Sequence, residues 1–311
     1  MRRLHIGIGN DKLANGLHVV VAPDTTAPVV TVGVYYKIGF RLEPQGRSGF
    51  AHLFEHMMFQ GSANAPKMQH IKLVNSSGGL LNGSTSYDVT NYYEAVPSNA
   101  LERVLWLEAD RMRALKVDDE NLKNQRDVVK EEVRVNVMNQ PYGGFPWLDM
   151  PPVAFRNWAN AHNFYGDFAD LDAADLADVK AFFKTYYVPN NAVLLMLGDV
   201  NADEGLALAK RYFSEIPAGA PPPFADPSEP EKRRSAAATW KKNSGRCPRW
   251  PSDTFCQKGA LSIGALWLYW IRRCMADAPE ECIASWYSKN RLPLRPAAEL
   301  TTFSVITGHR R

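Results

Sequence analysis

The array His52-Leu53-Phe54-Glu55-His56 constrains this chain more than any other feature. It lies in the apolar, proline-free run from Gly49 to Phe59, which has the texture of a helix. On a helix, residues four apart share a face, so both imidazoles point the same way. Two neutral imidazoles at that spacing can hold one Zn²⁺. Glu55, one turn from His52, is placed to reach a water on such an ion without itself being a ligand. The array therefore predicts metal-assisted hydrolysis. It also demands a fold in which another element brings a third ligand to this helix.

A catalytic zinc site takes three protein ligands and keeps one position open. Thiolates are excluded over most of the chain, because Cys247, Cys256, Cys274 and Cys282 all lie near its end. Their gaps of 8, 17 and 7 residues match no common zinc spacing. The best carboxylates are Glu131 and Glu132, in the stretch Arg126 to Arg134. Neighbouring helical residues point about 100° apart, so one of the two can face a core while the other faces solvent. Leu122, Val129 and Val133 mark an apolar side. Periodicity leaves both glutamates open.

Around these residues, strands alternate with helices. Leu13 to Leu17 reads as a tight turn before a strand at 17–22, and Val29 to Ile38 as a central strand. Residues 67–76 read as a helix, 79–87 and 91–96 as neighbouring strands. Ser98 reads as the N-cap of a helix over 99–114. A long helix is predicted over 118–139, another over 175–186, a buried strand over 193–197 and a helix over 202–213. The alternation predicts a layered α+β domain.

Composition divides the chain. Residues 1–231 hold 21 Lys/Arg against 28 Asp/Glu, a net of −7, while residues 232–311 hold 15 against 5, a net of +10. The acidic part offers no basic stripe, so no nucleic-acid partner is expected. Five of the eight tryptophans fall between Trp240 and Trp286. The expected division is a domain over 1–217, a Pro/Ala/charged linker over 218–234, and an atypical basic tail over 235–311. A tail read out of frame would account for the joint shift in charge, Cys and Trp. No transmembrane segment is expected: the longest apolar run, Gly259 to Ile271, has 13 residues. The first residues show no apolar h-region, so no export signal is read there, and the compartment is left open.

The stretch from Arg41 to Ser62, with Gly78 to Thr85, Asp88 to Tyr92 and Arg126 to Val129, resembles the M16 metallopeptidases of the pitrilysin and mitochondrial processing peptidase type. The resemblance covers roughly residues 10–215. It implies an antiparallel or mixed sheet with helices packed on one side. It also selects Glu132, which lies 76 residues after His56, the spacing of the family's distal ligand. His52, His56 and Glu132 would then hold Zn²⁺, and Glu55 would act as the general base. The family often carries a supporting carboxylate two turns earlier, where this chain has Gln125. Asn82, Gly83 and Ser84 would receive an extended peptide by edge pairing.

The expected function is a zinc-dependent endopeptidase domain acting on a peptide or protein substrate. The alternative is a non-catalytic M16-like partner subunit or truncated remnant. Active relatives clamp substrate with a second M16-like domain or subunit, which is therefore an expected partner. A lyase of the S-ribosylhomocysteine type shares the His-x-x-Glu-His layout. It ranks last because it needs a cysteine near the site. His70 and His162, which lack ligand-spaced neighbours, read as structural or exposed.

Overall fold

The computed structural model describes residues 7–140 and 143–230. The basic tail expected over 235–311 lies outside the described residues, as does the end of the expected linker. Among the described residues, six strands form one mixed sheet in the order β1-β2-β6-β3-β5-β4. The strands are β1 (Gly9–Lys12), β2 (His18–Pro23), β3 (Val29–Tyr36), β4 (Leu80–Thr85), β5 (Thr90–Pro97) and β6 (Ala192–Gly198). Neighbours run antiparallel except β2 and β6, which pair in parallel from His18↔Val193 to Pro23↔Gly198.

Side chains alternate faces along a strand. Val30, Val32, Val34 and Tyr36 of β3 align with Thr90, Tyr92, Glu94 and Val96 of β5 and with Ala192, Leu194 and Met196 of β6, and all of these are buried. This face carries the core, and the helices pack on it. The opposite face stays open: Tyr35 is 37% exposed and Leu197 is 47% exposed. The strand read as buried over 193–197 is buried on one face.

The helices that position the site are α1 (Phe50–Met57), α2 (Gln69–Ser76), α3 (Leu101–Arg113) and α4 (Asp119–Val133). The short helices α5 (Pro151–Ala154), α6 (Trp158–Ala161) and α7 (Phe168–Ala173) follow, then α8 (Leu176–Tyr186) and α9 (Ala202–Phe213). Asp175 caps α8 with a reciprocal capping box, and Asn201 caps α9. α1 lies against α4 and β4, which places the His-x-x-Glu-His face between the long helix and the sheet edge.

Two boundaries differ from the sequence reading. α3 begins at Leu101 after a 3-10 turn over Ser98–Ala100, and its N-cap is Ala100, with no side-chain bond. Ser98 Oγ donates instead to Asp199, 2.7 Å away. The long helix is α-helical only to Val133, and a wider π turn takes over Arg134–Met138. The stretch read as a linker has no regular structure over 218–230, yet part of it is fixed. Asn157 Nδ2 donates to the carbonyls of Asp226 and Ser228, and Asn160 Nδ2 to the carbonyl of Pro227. Glu229 accepts from the main-chain N–H of Arg156.

Candidate metal centre

α1 presents His52, Glu55 and His56 toward α4, where Glu132 faces them. His56 Nε2 lies 3.1 Å from Glu132 Oε2, and His52 Nε2 lies 3.7 Å from the same oxygen. One ligand atom from each of the three residues falls within 4.8 Å of the others. Glu131 points elsewhere and pairs with Arg134 at 3.2 Å. The geometry thus separates two glutamates that periodicity left equal.

The site is half enclosed. His52 is 2% exposed and packs against the ring of Phe164, with centroids 4.3 Å apart. Burial is the main force holding its pKa down to about 4, helped by His56 and opposed by Glu132. It is therefore a neutral ring at physiological pH, the form a metal requires. The hydrogen bond from His56 holds the Glu132 carboxyl below its ordinary range, so this group is anionic. Two imidazole nitrogens and a carboxylate oxygen converging on one point suit Zn²⁺. One feature departs from the usual pattern: among the described residues His52 Nδ1 is buried without a hydrogen-bond partner, and the tilted ring of Phe164 packs on the imidazole where an acceptor would normally orient it.

Glu55 is held from the sheet. Its Oε2 accepts a 2.7 Å bond from Thr85 Oγ1 at the end of β4. Burial pushes its carboxyl upward, against the pull of Thr85 and His56. The sequence reading missed Thr85, because a bond between a strand and a helix 30 residues away leaves no spacing signal. Gly83 is close as well: a Cβ there would sit 3.2 Å from Glu55 Cγ.

β4 is an edge strand of the sheet, and Asn82, Gly83 and Ser84 lie along it. A cleft beside it is lined by Glu55, His56, Phe59, Asn82, Gln125 and Glu132. Asn82 Oδ1 accepts from Gly83 N–H, and Ser84 Oγ bonds Asn91. Gln125, where the resemblance implies a supporting carboxylate, donates to Asn124 Oδ1 at 2.7 Å.

A second cluster has ligand-type side chains but a different character. His70, Glu94 and Glu108 are buried together, and the Arg111 guanidinium already occupies the space between the carboxylates. It bonds Glu108 and lies 3.3 Å from Glu94 Oε1. A fixed cation already sits at the cluster, and His70 Nε2 is engaged by Glu94 Oε1 at 3.0 Å, so His70 is structural.

Two family models match this chain: Insulinase (Peptidase family M16) over residues 18–142, and Peptidase M16 inactive domain over residues 173–273. The zinc protease PqqE of Helicobacter pylori is 35% identical over 210 residues, covering 66% of this chain and 46% of that protein. The chain belongs to peptidase family M16. A crystal structure of a protease from Helicobacter pylori matches with a TM-score of 0.69 at 32% identity, covering 73% of this chain and 55% of that one. The first half of the periplasmic protease PqqL from Escherichia coli matches at 0.64 and 25% identity, covering 72% of this chain and 49% of that one. These matches agree with the α+β fold of a mixed sheet carrying helices. Human cytochrome b-c1 complex subunit 1 is 28% identical over 205 residues, covering 66% of this chain and 42% of that protein. The chain thus spans about half the length of the curated relatives it matches. No helix among the described residues is long and apolar enough to cross a membrane.

Proposed function

We propose that this M16 chain carries a zinc-dependent endopeptidase centre, with His52, His56 and Glu132 as ligands and Glu55 as general base. The observation that carries this reading is the convergence of one ligand atom from each of the three residues within 4.8 Å, with the Glu55 carboxylate alongside on the same helix. When bound, zinc supplies Lewis-acid polarisation of a carbonyl and acidification of water. The chain's own residues supply the rest. Thr85 engages Glu55 Oε2, leaving Oε1 to take a proton from the attacking water and return it to the leaving amine. Burial raises the affinity of Glu55 for that proton. An extended peptide adding to the free edge of β4 would pair with the backbone around Asn82, Gly83 and Ser84, which sets its scissile bond beside the cleft.

The test is zinc content and peptide cleavage measured on one sample, for the parent chain and for Glu55→Gln. Expected is one zinc per chain in both and cleavage only in the parent. Equal cleavage by Glu55→Gln would remove the general-base role. A second reading is that of a non-catalytic partner or remnant. It draws support from the likeness to a cytochrome b-c1 complex subunit. Zinc uptake without cleavage, restored by adding a second M16-like domain or subunit, would favour a chain that shares its clamp with a partner.

A further inference from the structure

Gly49 is the N-cap residue of α1 and has no side chain with which to satisfy the first N–H groups of the helix. Glu43, buried six residues earlier, takes over that task. Its Oε2 accepts from Gly49 N–H at 2.8 Å and its Oε1 from Ala51 N–H at 2.7 Å. Ala51 immediately precedes His52. The carboxylate therefore fixes the turn from which the first imidazole projects, at the helix end where a negative charge is favoured.

The counter-charge is His162. Its Nε2 lies 3.4 Å from Glu43 Oε2 and 2.5 Å from the Phe40 carbonyl, and its Nδ1 lies 2.6 Å from the Trp158 carbonyl. Carbonyl oxygens only accept, and a neutral imidazole has a single N–H to give. Both contacts are satisfied only when both ring nitrogens carry protons. The Trp158 indole stacks on the ring at 4.3 Å and 10°, a favourable face for a cation, and its Nε1 donates to the Glu43 carbonyl at 2.7 Å. We propose that Glu43 and an imidazolium at His162 form a buried ion pair that positions the first turn of α1 and, through it, His52. The pair itself stands on this geometry; its effect on metal binding rests on the zinc reading above.

Other ionisable groups surround the pair. Arg41 is engaged by Asp88 and Asn160, and Glu229 reaches Asn160 from the extended segment. Asp170 of α7 accepts from Ser48 N–H, and the Tyr186 hydroxyl of α8 feels the Glu43 charge. Burial alone would lower the pKa of His162, but the bond to Glu43 and the two carbonyls outweigh it and raise it above 6.5. A raised folded value means the contribution is complete below about 6.5 and is lost as pH climbs through the higher folded value.

The experiment is nuclear magnetic resonance on the full ¹⁵N-labelled chain. The His162 ring is assigned by its loss in His162→Gln or by its proximity to the Trp158 indole. Expected are two protonated ring nitrogens at pH 7. On raising the pH, loss of the ring proton and a fall in the protection factor of the Ala51 amide follow one curve. Glu43→Gln lowers that protection at least tenfold and lowers zinc affinity, by chelator competition, about tenfold. A singly protonated ring at pH 7, or Ala51 protection unchanged in Glu43→Gln, overturns the proposal. The ring and amide signals need no metal. A chain that takes up no zinc but shows both would leave the ion pair standing and remove only the zinc reading. If His162→Gln fails to fold, the parent ring spectrum and Glu43→Gln decide.

Discussion

Thr85 Oγ1 donates to Glu55 Oε2 at 2.7 Å, tying the last residue of the edge strand to the acid on the histidine helix. A hydrogen bond to a charged group contributes about 1.5–3 kcal/mol, and about 1.4 kcal/mol corresponds to a tenfold rate change. Thr85→Val keeps the shape and removes the donor. We expect kcat for peptide cleavage to fall about tenfold or more with zinc content unchanged, and Thr85→Ser to recover most of it. A valine variant cleaving at the parent rate would show that Glu55 is held by other means.

Glu132 and Glu131 are neighbours with opposite surroundings. Glu132 meets both imidazoles, whereas Glu131 meets Arg134. Loss of a partner that merely orients a ligand costs about 10–100-fold in metal affinity, so loss of a ligand costs at least as much. Glu132→Gln should lower zinc affinity by on the order of a hundredfold or more, and Glu131→Gln should leave it unchanged. Chelator competition measures both, and equal effects would end the assignment of Glu132.

Arg111 sits fully buried between Glu94 and Glu108. Its removal leaves buried carboxylates without their cation, a change worth about 3–5 kcal/mol. Arg111→Met should shift the urea midpoint down accordingly. A shift under about 1 kcal/mol would mean that the carboxylates have become neutral at little cost.

The same cluster sets a pH dependence. Burial pushes the Glu108 carboxyl up to about 8, against the attraction of Arg111. Burial also takes His70 down to about 3, with Arg111 adding to it. Between about 6.5 and 8 the folded state holds a proton on Glu108 that the unfolded state has released, so stability falls as pH rises. Below about 6.5 the neutral His70 opposes this, because the unfolded ring takes up a proton there. Urea denaturation across pH 5–9 should show stability declining from about 6.5 to 8, and Glu108→Gln should flatten that decline. An unchanged slope in the variant would place the titration elsewhere.

Gly166 has φ +72°, and a Cβ on it would stand 2.4 Å from Gly49 Cα. Both partners are backbone at the entrance to α1, so neither can yield cheaply. Gly166→Ala should cost more than about 1 kcal/mol and loosen the start of the histidine helix, visible as faster amide exchange at Phe50 and Ala51. Parent-like exchange with full stability would mean that the loop shifts freely.

Much of the sheet was legible because its signals are local. The β-branched run from Val29 and the apolar run from Ala192 became β3 and β6, and the four-residue spacing of His52 and His56 put both rings on one helix face. What stayed hidden depends on partners far along the chain. Ser98 looked like a cap because its hydroxyl was free to bond forward, yet Asp199 claims it. The change from α-helix to π turn at Arg134 leaves charge and apolar spacing unaltered. Periodicity leaves Glu132 and Glu131 equal; the family resemblance selects Glu132, and the docking of α4 on α1 brings it to both imidazoles. Glu43 lies in the stretch that carries the family resemblance, but its pairing with His162, 119 residues on, leaves no spacing signal.

The contacts of residues 226–229 with Asn157 and Asn160 have a mechanical consequence. Chain beyond Gly219, which Asn190 holds through both its side-chain oxygen and nitrogen, would otherwise be a slack leash, whose ends explore a volume that grows with its length. Stapling it to α6 takes the slack out of the intervening span. The entropy that a loose strap would lose on any event at this face has thus already been given up in folding.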